Sequence, residues 1–386
     1  MGVNLRDLFP QHPVPEGWFL GKRIAVDGHN VAFRYLTSFR GRDGDLLRSP
    51  DGRAIGHMLG YVNLVRHLRE RGAEPIVVWD GQVHPRKWAT VEGRINTRLR
   101  NVQTVDTIEL ELATGKRLGL AAFGAAWRRE LAARITLLEG LAAEPGATPE
   151  DALELDAARA EAARASMQPD AELGAARIIH LEREVVEARR RVTQLDRRMI
   201  SDCSRLLEAL GVAVVKADHD GERYASALCH AGHADAVATE DFDALVAGAP
   251  AVLRKLGSAQ PFMHRLADLD AHRLDRQQLR HIAILCGTDW NYGVRGFGAK
   301  TAVKALREQP DMRKWIEEAQ AGGTGRYHKL LRDAGMTLAA FDELDQFIAQ
   351  MPTPTAPRAA QPDPGMAVAV AEEMGIARGR VLACFC

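Results

Sequence analysis

Short apolar runs that end in acidic residues recur in the first part of the chain. Residues 21–28 (GKRIAVDG) and 75–81 (PIVVWDG) each place an apolar run directly before an Asp-Gly pair, at Asp27 and Asp80. Between them, residues 57–71 show helical periodicity with a polar outer face. The strand–helix–strand pattern predicts two parallel strands, whose carboxyl ends would bring Asp27 and Asp80 to one edge of a sheet.

A second group of acids surrounds a predicted helix further along the chain. Asp220 and Glu222 precede this helix, and Asp241 and Asp243 follow the strand-like residues 234–239. The second pair should therefore emerge at the carboxyl end of a strand, where open α/β sheets place their ligand crevice.

Carboxylates packed this closely repel one another unless a cation lies among them. Magnesium and manganese prefer oxygen ligands, so they are the natural candidates. Each acidic pair taken alone is more typical of a solvated loop than of a metal site, and each Asp-Gly taken alone is equally typical of a simple turn. Their recurrence, together with Asp289 after the apolar helix predicted over 279–285, favours a metal site.

The middle of the chain has a different character. Residues 101–200 are rich in Ala, Leu, Glu and Arg and are predicted to be helical, with breaks at Pro145, Pro149 and Pro169. Residues 140–174 carry mostly acids among their charged positions, which predicts an inserted helical excursion or a partly disordered loop that avoids nucleic acid. Residues 177–198 are predicted to form one long amphipathic helix whose arginines make a solvated face.

Two basic stretches complete the pattern. One is a run of side chains on a predicted helix: Arg86, Lys87, Arg94, Arg98 and Arg100. The other, residues 293–304, contains Gly296, Gly298, Lys300 and Lys304 and has the form of a helix–hairpin–helix over about 279–305. The alternatives are a solvated helix for the first stretch and a plain helix-joining turn for the second.

Composition bears on the partners, the cysteine chemistry and the membrane contact of the protein. The 386 residues carry 51 basic and 51 acidic side chains, so net charge gives no hint of a nucleic-acid partner. The 5 cysteines lack paired C-x-x-C spacing, which argues against zinc and a disulfide framework. No apolar run approaches membrane-spanning length. We expect a cytoplasmic monomer without membrane contact, with a Pro-rich linker or extended wrap over 351–365.

The order of these motifs resembles the flap endonuclease family, the structure-specific 5′ nucleases. The resemblance is carried by residues 1–8 and by six further stretches: 25–27, 78–81, 220–223, 238–243, 285–290 and 295–300. It implies an α/β fold with a PIN-like parallel-sheet nuclease core, an enlarged helical arch insertion and a helix–hairpin–helix. The implied divisions are a core half at 1–81, a gateway and arch at 82–200, the other core half at 201–350, and a linker and tail at 351–386.

The resemblance also implies roles for individual residues. Two magnesium or manganese ions would be held by Asp27, Asp80, Asp220, Glu222, Asp241, Asp243 and Asp289. Lys87 and Arg94 would contact the scissile phosphate. The residues implied in DNA binding are Gly2, Phe33, Arg40, Arg295, Gly296, Gly298, Lys300 and Lys304, with a potassium ion at the hairpin.

The implied reaction is metal-assisted hydrolysis of DNA phosphodiester bonds at 5′ flaps or 5′ ends of branched junctions, in replication and repair. Asp220 stands where the family has glutamate, so it would reach its metal through water. Residues 378–385 have the shape of the family's sliding-clamp motif, with Arg378 for Gln and Cys384 for an aromatic residue. The alternatives are a related nuclease for bubbles, nicks or RNA, a non-catalytic binder of DNA structures, and a small-molecule phosphatase.

Overall fold

A largely parallel sheet forms the centre of the molecule. The computed structural model describes residues 3–144, 148–258 and 260–385. Within them lies a seven-stranded sheet of order β1-β7-β6-β5-β2-β3-β4. Its strands are β1 (His12–Pro13), β2 (Arg23–Asp27), β3 (Glu74–Trp79), β4 (Ala213–Lys216), β5 (Ala236–Ala238), β6 (Ala251–Arg254) and β7 (Phe262–Arg265). Strands β2 to β6 pair in parallel, and β7 pairs antiparallel with β6 and β1.

Helices account for most of the remaining described chain. Before the middle region lie α1 (Gly28–Ser38) and α2 (Gly56–Arg69). The middle contains α3 (Trp88–Leu118), α4 (Leu120–Ala142), α5 (Pro149–Ser166) and α6 (Asp170–Arg191). Next come α7 (Arg197–Ala209), α8 (Gly221–His230), α9 (Asp243–Val246), α10 (Leu269–His272), α11 (Arg276–Cys286) and α12 (Ala299–Glu308). The last are α13 (Met312–Gln320), α14 (Arg326–Asp333), α15 (Leu338–Ala349), α16 (Pro364–Glu373) and α17 (Arg378–Leu382).

Alternation along the central strands divides the core into two layers. Ala25 and Val78 pack into one apolar cluster with α8, α11 and α12, whereas Ile24, Val26 and Val77 pack into another with α2, α7 and α16. Successive side chains of a strand point to opposite faces, so a strand that is apolar on both faces is covered by helices on both sides. The predicted α/β fold with a parallel-sheet core is confirmed.

The described residues divide into two compact units. The first contains Met1–Arg40, Leu46–Arg94 and Gln194–Cys386, and the second contains Gly41–Asp45 and Ile95–Thr193. The second unit is helical, as predicted, and its acidic segment forms α5. Pro149 and Pro169 lie at helix starts, where their missing N–H costs no hydrogen bond. Pro145 lies outside the described residues.

The prediction of one helix over 177–198 is wrong. Helix α6 ends at Arg191 and α7 begins at Arg197, where the Asp196 carboxylate accepts a hydrogen bond from the Met199 N–H at 2.8 Å. This N-cap outweighs the helical spacing of the apolar residues around it. The solvated arginine face is also wrong at Arg177, whose side chain is 13% exposed and ion-pairs with Glu111 at 2.8 Å.

The C-terminal segment wraps over the first unit before its last helices join the core. Residues 351–363 have no regular secondary structure, and the Asp363 N–H donates to the Ala209 carbonyl at 2.8 Å. Helices α16 and α17 then pack into the cluster with α2 and α7, burying Val370 and Val381. Of the predicted alternatives, the segment is therefore an extended wrap. In the part of the chain that is described, no helix combines the length and apolar character needed to cross a bilayer.

Candidate active site

The parallel register brings the first acids to one edge of the sheet. Asp27 is the last residue of β2, and it pairs with Val78 of β3 two residues before Asp80. Val26 pairs with Ala238, the last residue of β5. Parallel strands end at the same edge, so Asp27, Asp80 and the acidic loop after β5 lie together there.

Helix α8 brings the second acidic pair to the same edge. Asp220 caps its N-terminus, because its Oδ1 accepts from the backbone N–H of Glu222 at 3.1 Å and of Arg223 at 3.2 Å. The Gly221 N–H donates to Asp80 Oδ1 at 2.7 Å. A Cβ at position 221 would lie only 2.8 Å from that oxygen, so this approach requires glycine.

A threonine hydroxyl connects the two acidic groups. Thr239 Oγ1 lies 3.1 Å from Asp27 Oδ2 and 2.7 Å from Glu222 Oε1. A hydroxyl has one proton to donate, so two such contacts require a proton on one carboxyl group or a cation against it. Burial, followed by the charge of Asp80, raises the pKa of Asp27 to about 8. Burial and the charge of Asp27 raise the pKa of Glu222 well above its ordinary value.

The loop after β5 supplies the third acidic pair. Asp243 is buried, and its Oδ1 accepts from the Val3 N–H at 3.0 Å. Burial, followed by the charge of Asp289, raises the pKa of Asp243 to about 7. The same two causes raise the pKa of Asp241. Burial away from water and, after it, the repulsion between neighbouring carboxylates both favour the protonated form of these groups.

Two basic side chains lie among the acids. Lys87 Nζ contacts Asp220 Oδ2 and lies 3.6 Å from Asp289 Oδ2. Arg94 Nη2 donates to both oxygens of Asp289 at 2.9 Å. Burial opposes ionisation of Asp289, but the charges of Lys87 and Arg94 outweigh it and hold the pKa of Asp289 below its ordinary value. Burial would lower the pKa of Lys87, yet Asp220 raises it.

The donor chemistry of this cluster fits hard divalent cations. All seven predicted ligands offer carboxylate oxygens, and burial, followed by mutual repulsion, raises the pKa values of Asp27, Glu222 and Asp243. In the described ranges, no three His, Cys, Asp or Glu side chains already converge on a common metal position. Lys87, Arg94 and Thr239 instead contact carboxylate oxygens that a cation would use.

The predicted DNA-binding residues fall into two places, and Gly2 lies outside the described residues. Phe33, which is 46% exposed, and Arg40 belong to α1 and the residues just after it. The others belong to the hairpin between α11 and α12 or to α12 itself: Arg295, Gly296, Gly298, Lys300 and Lys304 are all exposed. Lys300 Nζ pairs with Asp7 Oδ1 at 3.1 Å while its side chain stays 80% exposed.

The two hairpin glycines differ in what they require. Gly296 has φ +95, a conformation that favours glycine. Gly298 has φ −123 and is the N-cap of α12, and a Cβ there would meet no atom within 4 Å. Packing within the protein therefore gives no reason for glycine at position 298, whereas the close approach of a ligand would.

Sequence reasoning missed several polar residues of the site. Thr239 joins two acids, Asn30 contacts the acidic loop after β5, and His29 Nδ1 accepts from the Asp80 N–H at 3.0 Å. Arg223 lies over the rings of Phe347 and Trp290, with its guanidinium carbon 4.3 Å and 5.6 Å from their centroids. Only the position of Thr239, between the strand and its acids, offered a signal in the sequence.

The clamp-like segment lies in and after α17. Val381 and Cys384 are buried in the cluster with α2, and the Cys384 Sγ–H donates to the Val62 carbonyl at 3.4 Å. The side chains at these two positions of the motif are thus buried against the rest of the chain.

Comparison with known proteins identifies related sequences. Residues 211–289 match the XPG I-region family model. The chain is 30% identical over 326 residues to flap endonuclease 1 of Methanothermobacter thermautotrophicus, covering 83% of this chain and 79% of that protein. It is 27% identical over 327 residues to flap endonuclease 1 of Pyrococcus furiosus, covering 81% and 76%.

Solved structures share the fold. Flap endonuclease-1 from Methanococcus jannaschii matches with a TM-score of 0.61 at 24% identity, covering 100% of this chain and 97% of that chain. The catalytic core of Rad2 in complex with DNA substrate matches with a TM-score of 0.59 at 15% identity, covering 99% and 96%. The extent and level of the sequence similarity show that the chain belongs to the flap endonuclease family of nucleases.

Proposed function

We propose that the protein is a structure-specific 5′ flap endonuclease and 5′–3′ exonuclease that hydrolyses phosphodiester bonds in branched DNA. The observation that carries the proposal is the convergence of acids from β2, β3, α8 and the loop after β5 at one sheet edge, with Lys87 and Arg94 among them. The relatives that are named flap endonuclease 1 support the substrate class.

We propose that two Mg²⁺ or Mn²⁺ ions bind at this edge. Asp27 and Asp80 would hold them from one side, and the remaining five acids, Asp220, Glu222, Asp241, Asp243 and Asp289, from the other. When bound, such ions activate a water and stabilise the leaving oxygen of an in-line displacement. Asp220 is one methylene shorter than glutamate and also caps α8, so we propose that it reaches its ion through water.

Lys87 and Arg94 would offset the charge that develops on the phosphoryl oxygens. Both basic side chains form ion pairs with acids of the cluster: Lys87 pairs with Asp220, and Arg94 pairs with Asp289. Such electrostatic stabilisation is worth on the order of 3–4 kcal/mol for a single well-placed donor. A substrate phosphate would take over part of these ion pairs.

DNA outside the reacting phosphate would be gripped by shape and charge. Phe33 would stack on a terminal base pair, and Arg40 would lie near the 5′ strand. The exposed hairpin residues Arg295, Gly296, Gly298, Lys300 and Lys304 would bind duplex phosphates, with a potassium ion at the hairpin. Contacts with the DNA backbone do not distinguish one base sequence from another.

We further propose that the protein acts as a cytoplasmic monomer on nucleoid DNA. A sliding clamp is the less favoured partner, because Val381 and Cys384 would have to leave the core to fill a pocket on the clamp. We propose that residues 378–385 serve instead to anchor the C-terminus.

Cleavage of a labelled double-flap DNA tests the function. The wild type should cut near the junction with Mg²⁺ and not with EDTA, and Asp243→Asn should lose at least about 100-fold in rate because it removes a charged ligand. Thr37→Ala, which loses only a hydrogen bond to the Arg34 carbonyl in its own helix, is the control. Binding of the flap without cleavage in either metal would contradict the proposal. Parallel assays with bubble, nicked and RNA substrates test the alternative: faster cleavage of one of these than of the flap would identify a related nuclease with a different substrate preference.

A further inference from the structure

The first turn of α1 contacts the loops that follow three strands. Asp27 Oδ1 at the end of β2 accepts from the Asn30 N–H at 3.1 Å. The Asp80 N–H, after β3, donates to His29 Nδ1 at 3.0 Å. In the loop after β5, Asn30 Nδ2 donates to Asp241 Oδ2 at 3.0 Å, and its Oδ1 accepts from the Glu240 N–H at 3.0 Å. One helical turn therefore touches acids from both halves of the site.

The orientation of the Asn30 amide follows from these contacts. A backbone N–H can only donate, so the atom facing Glu240 must be the amide oxygen. The amide nitrogen consequently faces the Asp241 carboxylate, which accepts. No aliphatic side chain of the same size could satisfy either contact.

The loop that Asn30 contacts is held by further contacts through Glu240. The Glu240 carboxylate pairs with Arg34 of α1 at 2.8 Å and with Arg254 of β6 at 3.3 Å. It also accepts from the Lys255 N–H at 2.9 Å. The backbone next to Asp241 is thereby fixed, and the remaining freedom of Asp241 lies in its side chain, which the Asn30 amide restrains.

We infer that Asn30 is a positioning residue that sets the Asp241 carboxylate relative to Asp27 for metal binding. This inference rests on the proposed metal-dependent function. Through its backbone N–H, Asn30 orients Asp27, and through its side chain it orients Asp241. Partners that orient metal ligands in this way typically contribute roughly 10- to 100-fold to metal affinity or activity.

Two variants separate the contacts of Asn30. Asn30→Leu removes both side-chain hydrogen bonds. Asn30→Asp has nearly the same shape and keeps the acceptor for the Glu240 N–H, but it replaces the donor facing Asp241 with a negative charge. Thr37→Ala, on the same helix, is the matched control. Asp241→Asn tests the ligand itself.

Metal binding without DNA is the first measurement, by Mn²⁺ titration followed by electron paramagnetic resonance. We expect Asn30→Leu to weaken Mn²⁺ binding by roughly 10-fold or more. On double-flap DNA it should raise the half-saturating Mg²⁺ concentration and lower kcat, with KM for DNA unchanged. Asn30→Asp should shift the Mg²⁺ and Mn²⁺ curves as well, and Thr37→Ala should leave all values at the wild-type level.

The outcomes distinguish failure of the inference from failure of the proposed function. Wild-type metal binding and kcat in Asn30→Leu, while Asp241→Asn is impaired, would overturn the inference alone. Wild-type metal binding and cleavage in Asp241→Asn would overturn the assignment of the site. If Asn30→Leu fails to fold, Asn30→Asp decides, since an unchanged metal dependence in that variant also overturns the inference.

Discussion

At the scale of the residue, Thr239 shows how tightly the acidic cluster is coupled. Its single hydroxyl lies within hydrogen-bonding distance of Asp27 and Glu222, and it also accepts from the Asp241 N–H at 3.3 Å. A change of protonation at either carboxyl group therefore alters the hydrogen bonding of the other. The two acids titrate as a pair rather than as separate groups.

The raised pKa of Asp243 gives a pH dependence with a definite sign. The folded-state pKa of about 7 lies above the ordinary value of 3.8, so without metal the contribution of Asp243 to the unfolding free energy falls as pH rises from about 4 to about 7. Asp243→Asn removes this effect and keeps an acceptor for the Val3 N–H. In EDTA, we expect the variant to gain more unfolding free energy over the wild type at pH 8 than at pH 5, measured by urea denaturation.

The comparison between variant and wild type is needed because buried histidines act in the opposite direction. Burial lowers the pKa of His57, which therefore favours folding more as pH rises. An advantage of Asp243→Asn that is equal at both pH values, or larger at pH 5, would contradict the raised pKa of Asp243. Saturating Mg²⁺ should reverse the order of stability, because the wild type then gains a ligand interaction that the variant lacks.

At the scale of the element, two glycines determine how α4 and α6 cross. A Cβ at Gly124 would overlap the Asp170 carbonyl oxygen, and one at Gly174 would overlap that of Leu120. The backbones of the two helices thus touch directly, with no room for a methyl group. Nearby, Arg128 donates to the Ala165 carbonyl at 2.6 Å and pairs with Asp170 at 2.8 Å, which connects the end of α5 to the start of α6.

Gly124→Ala should therefore destabilise the helical unit. We expect a loss of about 1–3 kcal/mol of unfolding free energy from overpacking. Gly140→Ala on the same helix is the matched control, because a Cβ there meets no atom within 4 Å and alanine favours the helix by about 0.5–1 kcal/mol. Chemical denaturation of the full chain, followed by circular dichroism, measures both. Equal effects of the two substitutions would contradict the crossing geometry.

The helical elements also show where a pattern in sequence stops being informative. The apolar residues Val192 and Leu195 continue the period of α6, although the chain leaves the helix between Arg191 and Arg197. Arg177 looks solvated by its spacing, yet its guanidinium carbon lies 3.9 Å from the Trp127 ring centroid. Its partners are distant in sequence, so tertiary packing overrode the local signal.

At the scale of the whole molecule, the strands and their terminal acids were predictable because each signal is local. An apolar run before Asp27 or Asp80 specifies both the strand and the edge at which the acid lies. The role of Asn30 was not predictable, and that of Thr239 was signalled only by its position, because a single polar residue beside an acid has many possible roles. Their partners are known only once β2 and β5 are paired.

The hairpin offers a test of DNA binding that does not touch the acidic cluster. Gly298→Ala should lower the unfolding free energy by no more than about 1 kcal/mol, the difference between glycine and alanine at an N-cap, since its backbone conformation suits alanine and the added methyl group enters open space. If a phosphate approaches this glycine, the methyl group should weaken duplex binding by roughly 10-fold, or about 1.4 kcal/mol.

Fluorescence anisotropy at fixed ionic strength measures this effect, because contacts with the DNA backbone depend strongly on salt. Gly379→Ala, whose Cβ would also meet no atom within 4 Å, serves as the control far along the chain. Equal affinity of Gly298→Ala and the control would show that the hairpin does not grip the duplex as proposed.

The spread of the acids along the chain has a consequence for synthesis. Asp27 ends β2 early in the chain, whereas Asp289 comes shortly after α11. The entire helical unit is translated between them. At about 5–20 residues per second, a ribosome needs on the order of tens of seconds to pass from one to the other. A nascent chain therefore holds only part of the acid set during most of its translation. If all seven acids hold the metal ions as proposed, cutting activity would arise only late, after Asp289 has left the ribosome.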